Sequence, residues 1–257
     1  MHTQTELDRH FRKNINFRDL GAYTGADGRR IKPGLLYRSG GLYFMNEEEL
    51  AFFRTLGVRY VMDLRTRAEA DAQPDPVLDG ITYLQHSGLE FPTAKEIDFS
   101  PAGMSKIGAE GEEQLKKLHF YYRTLPFDNE AFRILFAELM QEHVPLVFHC
   151  ATGKDRTGAF AILLLLALGV DRDTVLKDYL LSREYFAEML QEGLRQDAEK
   201  IKSHPELEEL ITMRLGVSPK VGEMVMNEIF TRYPDPDVLM REEYDIDAEA
   251  LRALYLE

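Results

Sequence analysis

The stretch VPLVFHCATGKDRTGAFAILLLLALG, residues 144–169, constrains this chain more than any other. Val144 to Phe148 is an apolar run that reads as a buried strand. Arg156 to Leu168 reads as an apolar helix stopped by Gly169. A loop pinned between a buried strand and a buried helix turns several backbone N–H groups inward at a helix N-terminus. Such an arrangement binds a tetrahedral oxyanion. Cys150 opens this loop and Arg156 closes it at the spacing C-x5-R. The same positive field favours a thiolate. A free thiol of pKa about 8.5 is only a few per cent ionised at neutral pH, so the field decides whether Cys150 can attack. Arg156 offers a planar fork for two oxygens of a phosphoryl group. Ala151, Thr152, Gly153, Lys154 and Asp155 lie between them as phosphate-binding positions. Thr157 follows, with a hydroxyl able to donate to the thiolate or assist the leaving sulfur. These are the parts for attack of sulfur on phosphorus through a cysteinyl-phosphate.

Composition narrows the setting. With 257 residues, 44% hydrophobic and 29% charged, the chain has the make-up of a soluble globular protein with a sizeable core. A single Cys excludes an intrachain disulfide framework and any Cys-clustered zinc or iron–sulfur site. No metal or cofactor is expected. A net charge of −13 argues against general nucleic-acid binding and polybasic membrane adhesion, while leaving room for a local basic cleft. The longest apolar run, Ala159 to Val170, is short of the roughly 20 residues a membrane span needs. The N-terminal MHTQTELDRHFRKN lacks the apolar middle of a signal peptide. The expectation is a cytoplasmic protein without stable membrane insertion, a processed secreted form being the alternative.

Upstream of the central stretch, Asp27-Gly28 signals a hairpin turn, and Leu35 to Tyr37 a short strand ending at Arg38-Ser39. Asn46 fits the N-cap of a helix over 47–56 that Gly57 stops. Val58 to Leu64 reads as a second buried strand, and Ile81 to Gln85 alternates as a third. Leu89 to Glu112 reads as a long functional loop. Asp128 is placed to cap a helix through AFRILFAELMQ. Downstream the pattern is almost wholly helical: 173–196, 207–215, 220–232 behind Ser218-Pro219, and a last helix capped by Asp247. Strands alternating with helices predict an α/β fold, a central mostly parallel sheet flanked by helices. The helical tail predicts a C-terminal cap.

The loop from His149 to Gly158 resembles the H-C-x5-R-[ST] signature of cysteine-dependent protein tyrosine phosphatases. More narrowly, it is similar to the HC-x-x-GKDRTG loop of the bacterial atypical tyrosine/lipid phosphatases. NFRDLG (16–21), YRSGGL (37–42), DLRT (63–66) and DYLLS (178–182) extend the resemblance. It implies a protein-tyrosine-phosphatase-like fold: one phosphatase domain over 1–257, with a candidate helical lid over 192–233. It also implies metal-free hydrolysis of phosphotyrosine, often with phosphoserine/threonine or phosphoinositide activity. The partners would be a phosphorylated protein or phosphoinositide, with phosphate in the active site. In the family's pattern His149 tunes the cysteine through the loop backbone.

The general acid is the open assignment. The chain has no Trp, so the usual Trp-Pro-Asp acid loop is absent as spelled. Asp63 is the first choice, because active sites of parallel sheets gather at strand carboxyl ends. If its strand neighbours that of Cys150, both open onto one crevice; pairing with Arg65 is the alternative. Asp155, inside the loop, is the rival, unless it merely orients Arg156. Lys154 is expected to reach a second phosphate or a substrate carboxylate. Arg38, at a strand end, either faces the crevice or binds a backbone carbonyl. Two other function classes compete: a catalytically dead phosphate-binding module and a rhodanese-like sulfurtransferase. Intact Cys150 and Arg156 argue against the first, and Lys154-Asp155 with Thr157-Gly158 against the second.

Overall fold

The computed structural model describes residues 2–21, 23–89 and 111–257. Most of the loop expected over Leu89 to Glu112 therefore lies outside the described residues. The chain opens with α1 (Gln4–His10), started by a capping box between Thr3 and Glu6. Strands β1 (Arg18–Asp19) and β2 (Leu36–Ser39) follow. Asn46 and Glu49 form the capping box of α2 (Glu47–Thr55), as the sequence suggests. Next come β3 (Tyr60–Asp63), α3 (Arg67–Ala72) and β4 (Thr82–Gln85). Helices α4 (Gly111–Thr124) and α5 (Glu130–Met140) lead to β5 (Leu146–His149) and α6 (Asp155–Ala167). Asp128 does not cap α5. It sits in the left-handed region at φ 48°, and Asn129 accepts the Phe132 N–H instead.

The strands pair in the order β1-β2-β5-β3-β4, antiparallel only between β1 and β2. β5 therefore lies between two parallel neighbours, and the ends of β2, β3 and β5 open at one edge of the sheet. Side chains alternate across a strand, so β2, β3 and β5 each feed two cores. Leu36, Met62, Leu146 and Phe148 face the larger one, with Phe132 and Phe136 of α5 and Phe160 of α6. Tyr37, Val61 and Val147 face the smaller one, with Leu7 of α1 and Phe53 of α2. Every residue of α6 from Arg156 to Ala167 is buried, which accounts for its unbroken apolar run.

The tail holds α7 (Arg172–Tyr185), α8 (Ala187–Gln196), α9 (Ala198–Ser203) and α10 (Glu206–Leu215). Then come α11 (Pro219–Arg232), α12 (Pro236–Tyr244) and α13 (Ala248–Tyr255). The one helix expected over 173–196 is broken at Phe186, whose φ −102° and ψ 12° lie outside the helical basin. The break lets α8 turn onto α10, which also packs on α4. α11 packs on α4 and α7, while α12 and α13 close the larger core against α5 and α6. The span 192–233 thus takes in the end of α8 and all of α9, α10 and α11. Among the described residues, no helix is long and apolar enough to cross a membrane.

Candidate active site

The Cys150–Arg156 loop is held from outside. Gly153 has φ 69°, and a Cβ there would lie 2.4 Å from the Ser39 carbonyl oxygen, so only glycine fits. Gly41 N–H donates to the Ala151 carbonyl at 3.0 Å. The Asn16 amide donates to the Thr152 and Gly153 carbonyls at 3.2 and 3.0 Å. Arg38 Nη2 also donates to the Gly153 carbonyl, at 3.0 Å. Gly158 N–H donates to the Lys154 carbonyl at 2.8 Å as α6 begins. A trans peptide sets N–H opposite C=O. Carbonyls committed outward therefore leave the loop amides turned inward, as an oxyanion site requires.

These anchors form one buried network. Arg18 Nε and Arg38 Nη1 donate to the Asp178 carboxylate at 2.9 and 2.6 Å. Arg18 Nη1 donates to Asn16 Oδ1 at 2.7 Å, and the Asn16 amide reaches Ser182 Oγ at 3.1 Å. Burial, then the like charge of Arg18, lowers Arg38 to about 10, with Asp178 opposing both. Asn16, Arg18, Arg38, Asp178 and Ser182 lie in NFRDLG, YRSGGL and DYLLS. Those motifs carried the resemblance without a role; their role is to frame the loop. Arg38 takes the carbonyl-binding alternative.

Arg156 is clamped by a residue the sequence reading missed. Its Nη1 and Nη2 donate to Glu69 at 2.7 and 2.9 Å, and Nη1 also reaches the Leu64 carbonyl at 3.3 Å. A guanidinium has five N–H donors. This pairing leaves Nε–H and one Nη2–H, adjacent on one edge, for two phosphoryl oxygens. Burial works to raise Glu69, but Arg156 and then Thr66 outweigh it and hold the carboxyl at about 2. The readable signal was the T-x-x-E capping box Thr66–Glu69 that starts α3. It marks a helix start but not the partner of its glutamate.

A cavity of about 210 Å³ is lined by Ala151, Thr152, Lys154, Asp155 and Arg156 of the loop. Leu89, Leu118, Tyr121, Tyr122 and Met213 give it apolar and aromatic walls, and the exposed Arg214 of α10 stands beside them. Asp155 lines this cavity and accepts the Tyr122 hydroxyl at 2.7 Å. Lys154 is buried, and its Nζ donates to the carbonyls of Arg214 and Gly216 at 2.7 and 3.0 Å. Burial lowers its pKa, with Asp155 and Cys150 opposing. Its ammonium therefore ties the loop to the end of α10 instead of standing free for a second phosphate. Thr157 Oγ1 is buried with no partner among the described residues.

Asp63 is not at this cavity. β3 and β5 are parallel neighbours, as expected, but Asp63 registers with His149, one residue before Cys150. Both side chains leave on the face of the smaller core, while Cys150 and Leu64 belong to the larger one. Fully buried there, Asp63 accepts Arg65 Nε at 2.9 Å, Arg65 Nη2 at 2.7 Å and the Tyr83 hydroxyl at 2.9 Å. The first-choice acid thus becomes the partner of Arg65. Donor atoms of Asp63, Asp75 and His149 lie within 4.8 Å of one another, a spacing a metal ion could use. The Arg65 guanidinium already bonds both carboxylates there, so a cation fills the cluster.

Residues 10–257 match the family model described as the Tyrosine phosphatase family. A protein of Cupriavidus necator, provisionally named a tyrosine-protein phosphatase, is 31% identical over 94% of this chain and 85% of its own length. The triple specificity protein phosphatase PtpB of Mycobacterium tuberculosis is 32% identical over 66% of this chain and 67% of its own length. A tyrosine-protein phosphatase of Nostoc commune is 26% identical over 68% of this chain and 55% of its own length.

Proposed function

Since the chain belongs to the tyrosine phosphatase family, we propose that it hydrolyses phosphotyrosine through a cysteinyl-phosphate on Cys150. In this reading Cys150 Sγ attacks phosphorus and the bond to the leaving oxygen breaks. The free edge of Arg156 and the loop amides of Ala151 to Thr157 hold the equatorial oxygens. Asp155 protonates the leaving oxygen, then takes a proton from the water that cleaves the S–P bond. Thr157, whose hydroxyl has no partner among the described residues, donates to the departing sulfur. The observation that carries the reading is the cavity itself. Apolar and aromatic walls stand over the C-x5-R loop and suit a phenyl ring, while Asp155 and Arg156 share the same space.

Activity on phosphoserine/threonine and phosphoinositides belongs to the same proposal. It is supported by the mycobacterial relative's being named a triple specificity protein phosphatase and by Arg214 at the cavity wall. The match over 10–257 supports one phosphatase domain. Met213 and Arg214 in the cavity wall support residues 192–233 as its cover.

The test is Cys150→Ser. Turnover of p-nitrophenyl phosphate and of a phosphotyrosine peptide should be lost, while vanadate still binds through the amides and Arg156. A kcat within about tenfold of wild type would overturn the cysteinyl-phosphate route. Arg156→Lys should be severe as well, since an ammonium cannot reproduce the fork.

A further inference from the structure

One face of α4 meets the carboxylate that the reaction uses as its acid. Leu118, Tyr121 and Tyr122 are buried and line the cavity together. Their spacing, i, i+3 and i+4, puts them side by side on the helix. The Tyr122 ring stands edge-on to Tyr121, with centroids 5.0 Å apart and planes at 73°. α10 and α11 pack on α4, so the ring is carried by a braced element. Its hydroxyl donates to Asp155 Oδ1 at 2.7 Å.

Asp155 lacks other means of orientation. It is the first residue of α6, which fixes its backbone. Its half-buried side chain still has two torsions to settle. Among the described residues, Tyr122 is the hydrogen-bond donor to its carboxylate. The direction of that bond follows from Tyr122. Burial, then the charge of Asp155, push its ionisation well up, so the hydroxyl keeps its proton and donates. An oxygen that accepts this hydroxyl is not the one to carry the acid's own proton. Oδ1 is taken, and Oδ2 is left for it. A carboxylate and a carboxylic acid can both accept at Oδ1, so one orientation serves both halves of the reaction.

We propose that Tyr122 is the positioning residue of the general acid: its hydroxyl pins Asp155 Oδ1 and reserves Oδ2 for proton exchange with the leaving oxygen and then with water. The proposal rests on the reading of Asp155 as the acid. As sulfur bonds phosphorus and the bond to the leaving oxygen breaks, the Oδ2 proton passes to that oxygen. When water displaces the sulfur, Oδ2 takes a proton back. Tyr122 keeps its proton throughout. The chain has no Trp-Pro-Asp loop to bring in a carboxylate. The acid instead stands inside the phosphate loop, and a tyrosine on a neighbouring helix aims it. Aim is what such a contact contributes, since a misplacement of about 1 Å can cost about 10²-fold in rate.

Tyr122→Phe keeps the ring and the cavity wall and removes the hydroxyl. On phenyl phosphate, whose leaving oxygen needs the proton, kcat should fall about tenfold with KM little changed, the scale of one hydrogen bond to a charged group. On p-nitrophenyl phosphate, which needs little protonation, it should fall less than about threefold. In an Asp155→Asn background, Tyr122→Phe should add almost nothing on phenyl phosphate, because the group it acts through is gone. Wild-type kinetics, equal losses on both substrates, a loss carried by KM, or a full tenfold loss on top of Asp155→Asn would each overturn the proposal. Should Tyr122→Phe fail to fold, Tyr122→Met, which fills the site without a donor, makes the same comparison. Asp155→Asn without leaving-group dependence would remove Asp155 as the acid, and this role of Tyr122 with it. Dependence in Asp155→Asn but not in Tyr122→Phe would remove the role of Tyr122 alone.

Discussion

One step of strand alternation separates Asp63 from Cys150, and that step keeps Asp63 away from the cavity that Asp155 lines. The strand ends were legible: β3 and β5 lie where the apolar runs put them, as neighbours with their carboxyl ends together. The parity was legible too, since Val147 and His149 share one face and Phe148 and Cys150 the other. The sequence offers the pairing of Arg65 with Asp63 only as an alternative and does not decide it, and nothing in it announces that Tyr122 bonds Asp155. The consequence is measurable. Asp155→Asn should lower kcat by about 10²–10³ on a substrate with a poor leaving group. It should lower it much less on p-nitrophenyl phosphate, whose leaving group needs little protonation. Asp63→Asn should cost stability without leaving-group dependence. If that dependence appears in Asp63→Asn and is absent in Asp155→Asn, the assignment of the acid reverses.

Among elements, α6 was the most legible, because a helix buried on all sides leaves an apolar run that no surface helix shows. The frame around its N-terminus was not. Asn16, Arg38 and Asp178 are far apart in sequence and carry no periodic signal, yet Asn16 and Arg38 converge on the carbonyl of Gly153, and Asp178 holds Arg38 in place there. Asp178→Ala would leave the guanidinium groups of Arg18 and Arg38 buried without their counter-charge. Breaking such a pair costs roughly 3–5 kcal/mol. The denaturant midpoint should fall accordingly, and vanadate affinity with it. Unaltered values for both would mean that the loop holds its shape without the network. Lys154 makes the second connection between elements, from the loop to the carbonyl end of α10. Lys154→Met should therefore lower kcat/KM to a similar degree on phosphotyrosine and phosphoinositide substrates. A loss confined to phosphoinositides would return Lys154 to the role of second-phosphate contact.

At the scale of the whole molecule, the cavity and the surface carry opposite signs of field. Lys154, Arg156 and Arg214 line the cavity beside Asp155 and Glu69, a local excess of one positive charge, whereas the chain sums to −13. A small anion is drawn in at short range, but an anionic surface is repelled before it arrives. A soluble short-chain phosphoinositide should thus be turned over faster than the same headgroup in phosphatidylserine vesicles at low salt. Raising ionic strength from about 0.01 M to 0.15 M shortens the screening length from roughly 30 Å to 8 Å. The vesicle rate should climb several-fold over that range, while the soluble rate, governed by contacts inside the cavity, changes far less. A vesicle rate that falls with added salt would mean that a basic face docks on the membrane. The local arrangement of charge, and not its sum, would then govern access to the cavity.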